Sequence, residues 1–306
     1  MGRLALEADP LNLVRLVPPR RQRYSPLPAA MRVTIIAITH ERPDALALLL
    51  RGLARQSRPA DEVIVAEDGE SPATSACVAR EAAILPSRLL HVAQPHRGPR
   101  MSRARNRGLA AATGDYVIFI DGDEIPARHF VADHAAFARP GHFTQGSRVL
   151  AGPHATASLL ERGALDLSPF TPDIDRRRHL LRAPALWWLL ARPSQSEHAL
   201  KSCNLAFWRQ DLVQLNGFEE RMEGWGLEDL DLCARAYHLG LWRRDLRLGA
   251  GVIHLWHGPP GRLTADNPNW PVYRETLATR RVRAVKGLDR HPASAAPPVP
   301  PAPARR

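Results

Sequence analysis

Asp115-Tyr116-Val117-Ile118-Phe119-Ile120-Asp121-Gly122-Asp123-Glu124 is an apolar run that breaks off at an acidic turn. Branched and aromatic residues bounded by turn formers predict a buried strand, the kind covered on both faces in a parallel sheet. In open α/β sheets ligands bind beyond the carboxyl ends of the strands. Asp121, Asp123 and Glu124 stand at that end. Mg²⁺ or Mn²⁺ takes oxygen ligands, and one or two carboxylates commonly hold it against substrate phosphates. The stretch therefore predicts a metal–diphosphate site. A solvated acidic turn is the competing reading, and an isolated Asp-x-Asp favours it, so the rest of the chain must decide.

Working upstream, strands alternate with helices. Val33–Thr39, Glu62–Ala66 and Leu89–Ala93 read as apolar strands. Pro43 and Asp44 open a helix in which Leu46, Leu49, Leu50 and Leu53 recur at helical spacing, ending near Arg55. Residues 73–83 and Met101–Ala112 supply two more helices. Strands separated by helices of this length imply parallel βαβ units, hence an α/β fold with a doubly wound, mostly parallel sheet flanked by helices. The sequence lacks both a Gly-x-Gly-x-x-Gly fingerprint and a Gly-Lys-Ser/Thr phosphate loop, which disfavours a hydride-transfer enzyme or a P-loop NTPase.

Downstream the pattern is less regular. Phe143–Leu150 predicts one strand, Ser202–Trp208 another, and Gln210–Leu215 a short helix. Residues 151–200, with Arg176-Arg177-Arg178 and Trp187-Trp188, read as an irregular segment, either a substrate loop or lid or plain irregular packing. A helix is expected from Glu228 to Leu239, stopped by Gly240, and a basic helix over 271–286. Three further constellations carry chemistry. Glu228-Asp229 follows Gly224-Trp225-Gly226: carboxylates at a helix start suit its dipole, or one of them serves as general base to an acceptor hydroxyl, with Trp225 offering a flat face for a sugar. His254-x-x-His257 follows an apolar strand, and imidazoles complete a metal set with Asp123, His257 being favoured over His254. Glu67-Asp68-Gly69 closes the second strand, where Asp68 can accept from a uracil N–H; a plain turn is the alternative.

The chain has 306 residues, 44% hydrophobic and 24% charged, the composition of a protein that buries a core. Three cysteines without metal-type spacing favour a reducing cytosol, and neither a secretory signal nor a run long enough to span a membrane is expected. The net charge is +11, of which residues 1–30 supply +3 and 280–306 supply +6, leaving +2 for 31–279. The expected organisation is an N-terminal extension over 1–30, partly disordered, a catalytic domain over 31–290, and a disordered Pro/Ala tail over 291–306. Within the domain, 31–125 would bind nucleotide and 126–290 would bind acceptor and complete the metal site. Met31 is an alternative start.

Several motifs in order resemble the family 2 glycosyltransferases of GT-A fold: Ile36-Ala37-Ile38-Thr39-His40-Glu41-Arg42-Pro43, Val65-Ala66-Glu67-Asp68-Gly69, Ala104-Arg105-Asn106-Arg107-Gly108 and Phe119-Ile120-Asp121-Gly122-Asp123. Lys201-Ser202-Cys203-Asn204-Leu205-Ala206, Asn216-Gly217-Phe218 and Gly224-Trp225-Gly226-Leu227-Glu228-Asp229 resemble the C-terminal galactosyltransferase module. The resemblance covers roughly 32–290. It implies that Thr39, Arg42 and Asp68 contact the nucleotide, that Arg105 or Asn106 approaches it or its diphosphate, and that Asp121 lies near the ribose or sugar. It further implies that Asp123 holds the metal with His257 and His254, that Trp225 and Glu228 hold the sugars, and that Asp229 is the base. Leu230 stands where animal galactosyltransferases carry a third acidic residue, so their donor and acceptor preferences do not carry over, and the role of Glu124 is left open.

The expected activity is a Mn²⁺- or Mg²⁺-dependent, inverting transfer of a hexose, galactose-type or N-acetylhexosamine, from a UDP-sugar. The acceptor would be a hydroxyl of a glycan or lipid-linked molecule in surface polysaccharide synthesis. The expected location is cytoplasmic, with peripheral contact to an anionic inner membrane face and no specific nucleic acid partner. The alternatives are a sugar nucleotidyltransferase, and a non-catalytic nucleic-acid or membrane binder acting through the basic tails.

Overall fold

The computed structural model describes residues 31–196, 200, 203–258, 263–292 and 299. The extension 1–30, Lys201 and Ser202, and most of the 291–306 tail lie outside the described residues. In chain order the elements are β1 (Val33–Thr39), α1 (Pro43–Ala54), β2 (Glu62–Glu67), α2 (Pro72–Glu81), β3 (Arg88–Ala93), α3 (Met101–Ala111) and β4 (Tyr116–Asp121). There follow β5 (Glu124–Pro126), α4 (Phe130–Phe137), β6 (His142–Gln145), β7 (Arg148–Ala151), α5 (Pro153–Arg162), β8 (Ile174–Asp175) and α6 (Trp187–Leu190). The last are β9 (Leu205–Trp208), α7 (Arg209–Leu215), α8 (Glu228–Leu239), β10 (Trp242–Asp245), β11 (Val252–His254) and α9 (Trp270–Thr279).

A seven-stranded sheet runs β10-β6-β9-β4-β1-β2-β3. Its pairs are parallel except where β9 lies antiparallel between β4 and β6. Strands from both parts of the chain thus build one sheet. Every residue of β1 and β2 is buried, as expected of strands covered on two faces. Alternation distributes them: Val33, Ile35 and Ala37 join the leucines of α1, while Ile36 packs with Leu109 of α3 and Leu232 of α8 on the opposite face. Each such fully buried leucine or isoleucine contributes about 1.5–3 kcal/mol by leaving water. A second, four-stranded sheet, β5-β11-β7-β8, packs its own apolar cluster against Ala45 and Leu48 of α1.

The expected strand Phe143–Leu150 is two strands in different sheets. β6 ends at Gln145, and the chain crosses at Gly146-Ser147 to begin β7. The break is pinned by Asn204. Its Nδ2 donates to the carbonyls of Ser147 (3.0 Å) and Ala250 (2.8 Å), and its own carbonyl accepts from Gly146 N. A Cβ at residue 146 would overlap the Asn204 side chain. The 151–200 stretch is also less irregular than expected, since it contains the ten-residue α5, closed by Gly163 in the left-handed region. The terminal helix stops at Thr279, short of 286. Arg280 adopts a φ of 50° and turns the chain so that Ala284 N reaches Leu215 O at 2.9 Å.

Candidate active site

A cavity of about 480 Å³ opens beyond the carboxyl ends of β1, β2 and β4. Thr39 at the end of β1 and Asp68 just past β2 are both buried and line it, as do Arg42, Arg105, Asp121, Asp123, Trp225, Glu228, His254 and His257. Ten of the twelve residues singled out from sequence therefore meet at one place, although they span more than two thirds of the chain.

Asp68 is fixed in orientation. Its Oδ1 accepts from Gln94 Nε2 at 2.8 Å and its Oδ2 from Arg100 N at 2.5 Å. The rings of His40 and His96 stack at 4.4 Å and both reach the Asp68 carbonyl through Nδ1. Beside it, Thr39 Oγ1 is buried with no hydrogen-bond partner among the described residues. A buried polar atom of this kind costs about 1–3 kcal/mol unless a ligand satisfies it. Gln94 was missed from sequence, yet it lies directly past β3, where the strand-end rule points.

Asp123, His254 and His257 bring one donor atom each to within 4.8 Å of one another. His257 Nε2 is 3.5 Å from Asp123 Oδ2, and His254 Nε2 is 3.9 Å from Asp123 Oδ1. Donors about 2 Å from a shared divalent ion lie roughly 3–3.5 Å apart; the His257 separation matches this and the His254 one is somewhat longer. β11 presents His254 through its pairing with β5, in which His254 sits opposite Glu124. Burial, reinforced by the nearby Asp121 charge, pushes Asp123 up to about 6. Burial and then Arg148 bring His254 down to about 4, so its imidazole is neutral and offers a lone pair. A carboxylate with two imidazoles suits a first-row divalent ion such as Mn²⁺.

Glu124, whose role the sequence left open, is fully buried. Burial first, and Asp121 second, raise its carboxyl well above the ordinary range. Its Oε2 accepts from Asp121 N at 3.3 Å, so it braces the turn that aims Asp121 and Asp123.

Arg105, one of the two residues expected to approach the nucleotide or its diphosphate, lines the cavity and is held by carboxylates. Its side chain is 2% exposed, with Nη1 3.2 Å from Glu228 Oε1 and Nη2 3.3 Å from Asp121 Oδ1. Burial works against its charge, but Glu228 and Asp121 hold the guanidinium above its usual value. It stacks over Phe218 at 5.2 Å. Arg105 thus ties the β4 turn to the start of α8. Asn106 does not line the cavity at all. It is completely buried, and its Nδ2 donates to Phe218 O and Glu220 Oε1 while its Oδ1 accepts from Phe218 N. Of the two alternatives, Arg105 is the one that lines the cavity, and Asn106 shapes the Asn216-Gly217-Phe218 loop.

Gly224, Gly226 and Leu227 all have positive φ (80°, 95° and 75°), a path that two glycines make accessible and that leaves Trp225 49% exposed. Asn267 and Asn269 clamp this loop by donating to the carbonyls of Trp225 and Gly226, both at 2.8 Å. Glu228 opens α8 facing the cavity. Asp229 is half-buried, acts on the charge of Arg105, and takes Leu230 N on its Oδ1 at 2.8 Å, but it does not line the cavity.

Comparison with known proteins agrees with this geometry. The model of glycosyl transferase family 2 matches residues 34–178. A model described as the N-terminal domain of galactosyltransferase matches residues 191–250. Chondroitin synthase of Escherichia coli is 25% identical over 252 residues, covering 75% of this chain and 35% of that protein. Validoxylamine A glucosyltransferase of Streptomyces hygroscopicus subsp. limoneus is 27% identical over 260 residues, covering 74% of this chain and 53% of that protein. The chain spans between a third and about half the length of these curated relatives. S. aureus TarS in complex with UDP-GlcNAc superposes with a TM-score of 0.57 at 16% identity, covering 85% of this chain and 69% of that one. Mannosyltransferase PcManGT from Pyrobaculum calidifontis, in complex with GDP-Man and Mn²⁺, superposes with a TM-score of 0.50 at 21% identity, with the same coverage. These structural likenesses show a shared GT-A fold. Since the two family models fall in succession on most of the elements that enclose the cavity, the chain is a glycosyltransferase whose first half matches family 2 and whose second half matches a galactosyltransferase-type segment.

Proposed function

We propose that the enzyme transfers a hexosyl group, galactose-type or N-acetylhexosamine, from a UDP-sugar to a hydroxyl of a glycan or lipid-linked acceptor, with inversion. The observation that carries this reading is the convergence of Asp68, the Asp123–His254–His257 set and the Arg105-linked Asp121 and Glu228 on a single cavity. Asp68, with both oxygens already oriented, accepts from the uracil N–H, and Thr39 Oγ1 gains the partner it lacks. Arg42 supplies positive charge at the cavity edge. Asp123, His257 and His254 would hold Mn²⁺ or Mg²⁺, which when bound neutralises charge on the leaving diphosphate.

Asp121 and Glu228, held by one guanidinium, fix the sugar of the donor, and Trp225 covers it. The donor fills the cavity, so an acceptor hydroxyl must arrive from outside it. A base for that hydroxyl belongs beside the cavity, where half-buried Asp229 stands next to the Gly-Trp-Gly loop. Asp229 takes the hydroxyl proton as the oxygen attacks the anomeric carbon from the face opposite the leaving group. Among the described residues no helix is long and apolar enough to cross a membrane. Trp187 is occupied, since it packs on Phe137 and donates to Leu248 O, but Trp188 is 80% exposed and is the proposed contact with an anionic membrane face.

Product analysis tests the reaction class. Release of UDP from a UDP-hexose, with the sugar appearing on an acceptor, supports transfer. Release of pyrophosphate from UTP and a sugar phosphate would instead make the protein a nucleotidyltransferase.

A further inference from the structure

A second cavity, of about 330 Å³, lies beyond the crossing between β6 and β7. Arg148, Arg176, Arg178 and Arg247 line it, against the single carboxylate of Asp245. That carboxylate is already engaged, by Arg243 at 3.0 Å and Arg247 at 3.7 Å. Arg176 and Arg178 are exposed and make no ion pair with any described residue. Arg177, between them, points elsewhere and donates to Pro169 O. Arg148 is half-buried, and among the described residues it hydrogen-bonds only the weakly accepting Cys203 Sγ at 3.1 Å and leaves its buried Nε without a hydrogen-bond partner.

Several guanidinium groups around one concavity repel one another, and the arrangement becomes favourable when an anion enters. Guanidinium forks match phosphate oxygens, and a phosphate dianion accepts from several arginines at once, whereas a carboxylate saturates with one or two. The second cavity also adjoins the first. Cys203 lines the second, Asp121 lines the first, and their donor atoms lie within 4.8 Å of each other.

We propose that this arginine-lined cavity binds a phosphate group, as an anion subsite for a phosphate-bearing acceptor. The acceptor role rests on the reading of the first cavity as the donor site; the phosphate site does not.

The test is calorimetric titration of inorganic phosphate into the full chain, with chelator present, for the wild type and for the double variant Arg176→Ala/Arg178→Ala. UDP with Mn²⁺ is titrated separately into both proteins. The proposal expects phosphate affinity to fall at least about ten-fold in the variant, the loss of charge-assisted hydrogen bonds, with UDP affinity unchanged. Equal phosphate binding by both proteins, or none by the wild type, overturns it. Failure of UDP to bind while phosphate binding follows the arginines leaves the phosphate site standing and removes its acceptor role. Sedimentation with phosphatidylcholine vesicles containing phosphatidic acid separates the sources. Capture that depends on Arg176 and Arg178 assigns the phosphate to a lipid headgroup, and phosphate binding without capture assigns it to a glycan-borne or free phosphate.

Discussion

Arg105 and Glu228 are separated by 123 residues of sequence, yet Nη1 of one lies 3.2 Å from Oε1 of the other inside the protein. With Asp121 on the second nitrogen, this buried guanidinium joins the turn after β4 to the start of α8. Replacing Arg105 by Met leaves two carboxylates without their shared cation and is expected to cost about 3–5 kcal/mol of stability. Arg105→Lys keeps the charge but not the fork, and should fold while lowering transfer about a hundred-fold through misplacement. Urea denaturation and initial rates measure the two effects. A fully active Arg105→Lys enzyme would remove the positioning role.

The two carboxylates at the start of α8 are proposed to have different tasks. Asp229→Asn is expected to lower kcat by about 10²–10⁴ while nucleotide affinity holds, because only the proton acceptor is lost. Glu228→Gln weakens the Arg105 link as well, so both donor binding and rate should fall. If Asp229→Asn turns over normally and Glu228→Gln loses rate alone, the base is Glu228.

Asn106 separates a structural role from a binding one. Asn106→Ala strips the partners from Phe218 N and Phe218 O, buried groups whose orphaning costs about 1–3 kcal/mol. The expected result is a lower denaturation midpoint with unchanged UDP affinity at temperatures where the variant is folded. A folded variant that binds UDP more weakly would return Asn106 to the nucleotide site.

Much of the first sheet is legible in the sequence because β1, β2 and β4 are largely apolar runs closing at Thr39, Glu67 and Asp121, which is how doubly covered strands read. The second sheet is legible only in part. The apolar strand read ahead of His257 is β11, but β5 has three residues and β8 two, too short to show a period, and β5 contains both a buried Glu and a Pro. Phe143–Leu150 misleads because apolar residues at its two ends read as one strand, whereas the chain crosses between sheets at Gly146-Ser147, held there by the distant Asn204. The site is legible wherever a residue stands at a strand end, as Thr39, Asp68 and Asp123 do. Arg105 and Asn106 lie on a helix, and which one faces the cavity depends on partners more than a hundred residues away.

His134 makes acid stability a test of the same Asn204 clamp. Its Nε2 donates to Asn204 Oδ1 at 2.7 Å, and burial outweighs that bond to pull the imidazole from 6.5 down to about 4. Between those values the unfolded chain holds a proton that the folded chain lacks. The contribution of neutral His134 is complete above the upper value and declines as pH falls toward the lower. The slope is at most about 1.4 kcal/mol per pH unit. The stability advantage of wild type over His134→Gln, measured by denaturant titration, should therefore shrink between about pH 7 and about pH 4.5. A difference independent of pH would mean that His134 does not titrate in this window.

The proposed UDP site is completed by a metal at Asp123, His254 and His257. Calorimetric titration of UDP into the wild type with Mn²⁺, into the wild type with chelator, and into Asp123→Ala with Mn²⁺ tests it most directly. The account predicts binding in the first case and its loss in the other two. Equal UDP binding in all three, or none in any, would contradict it.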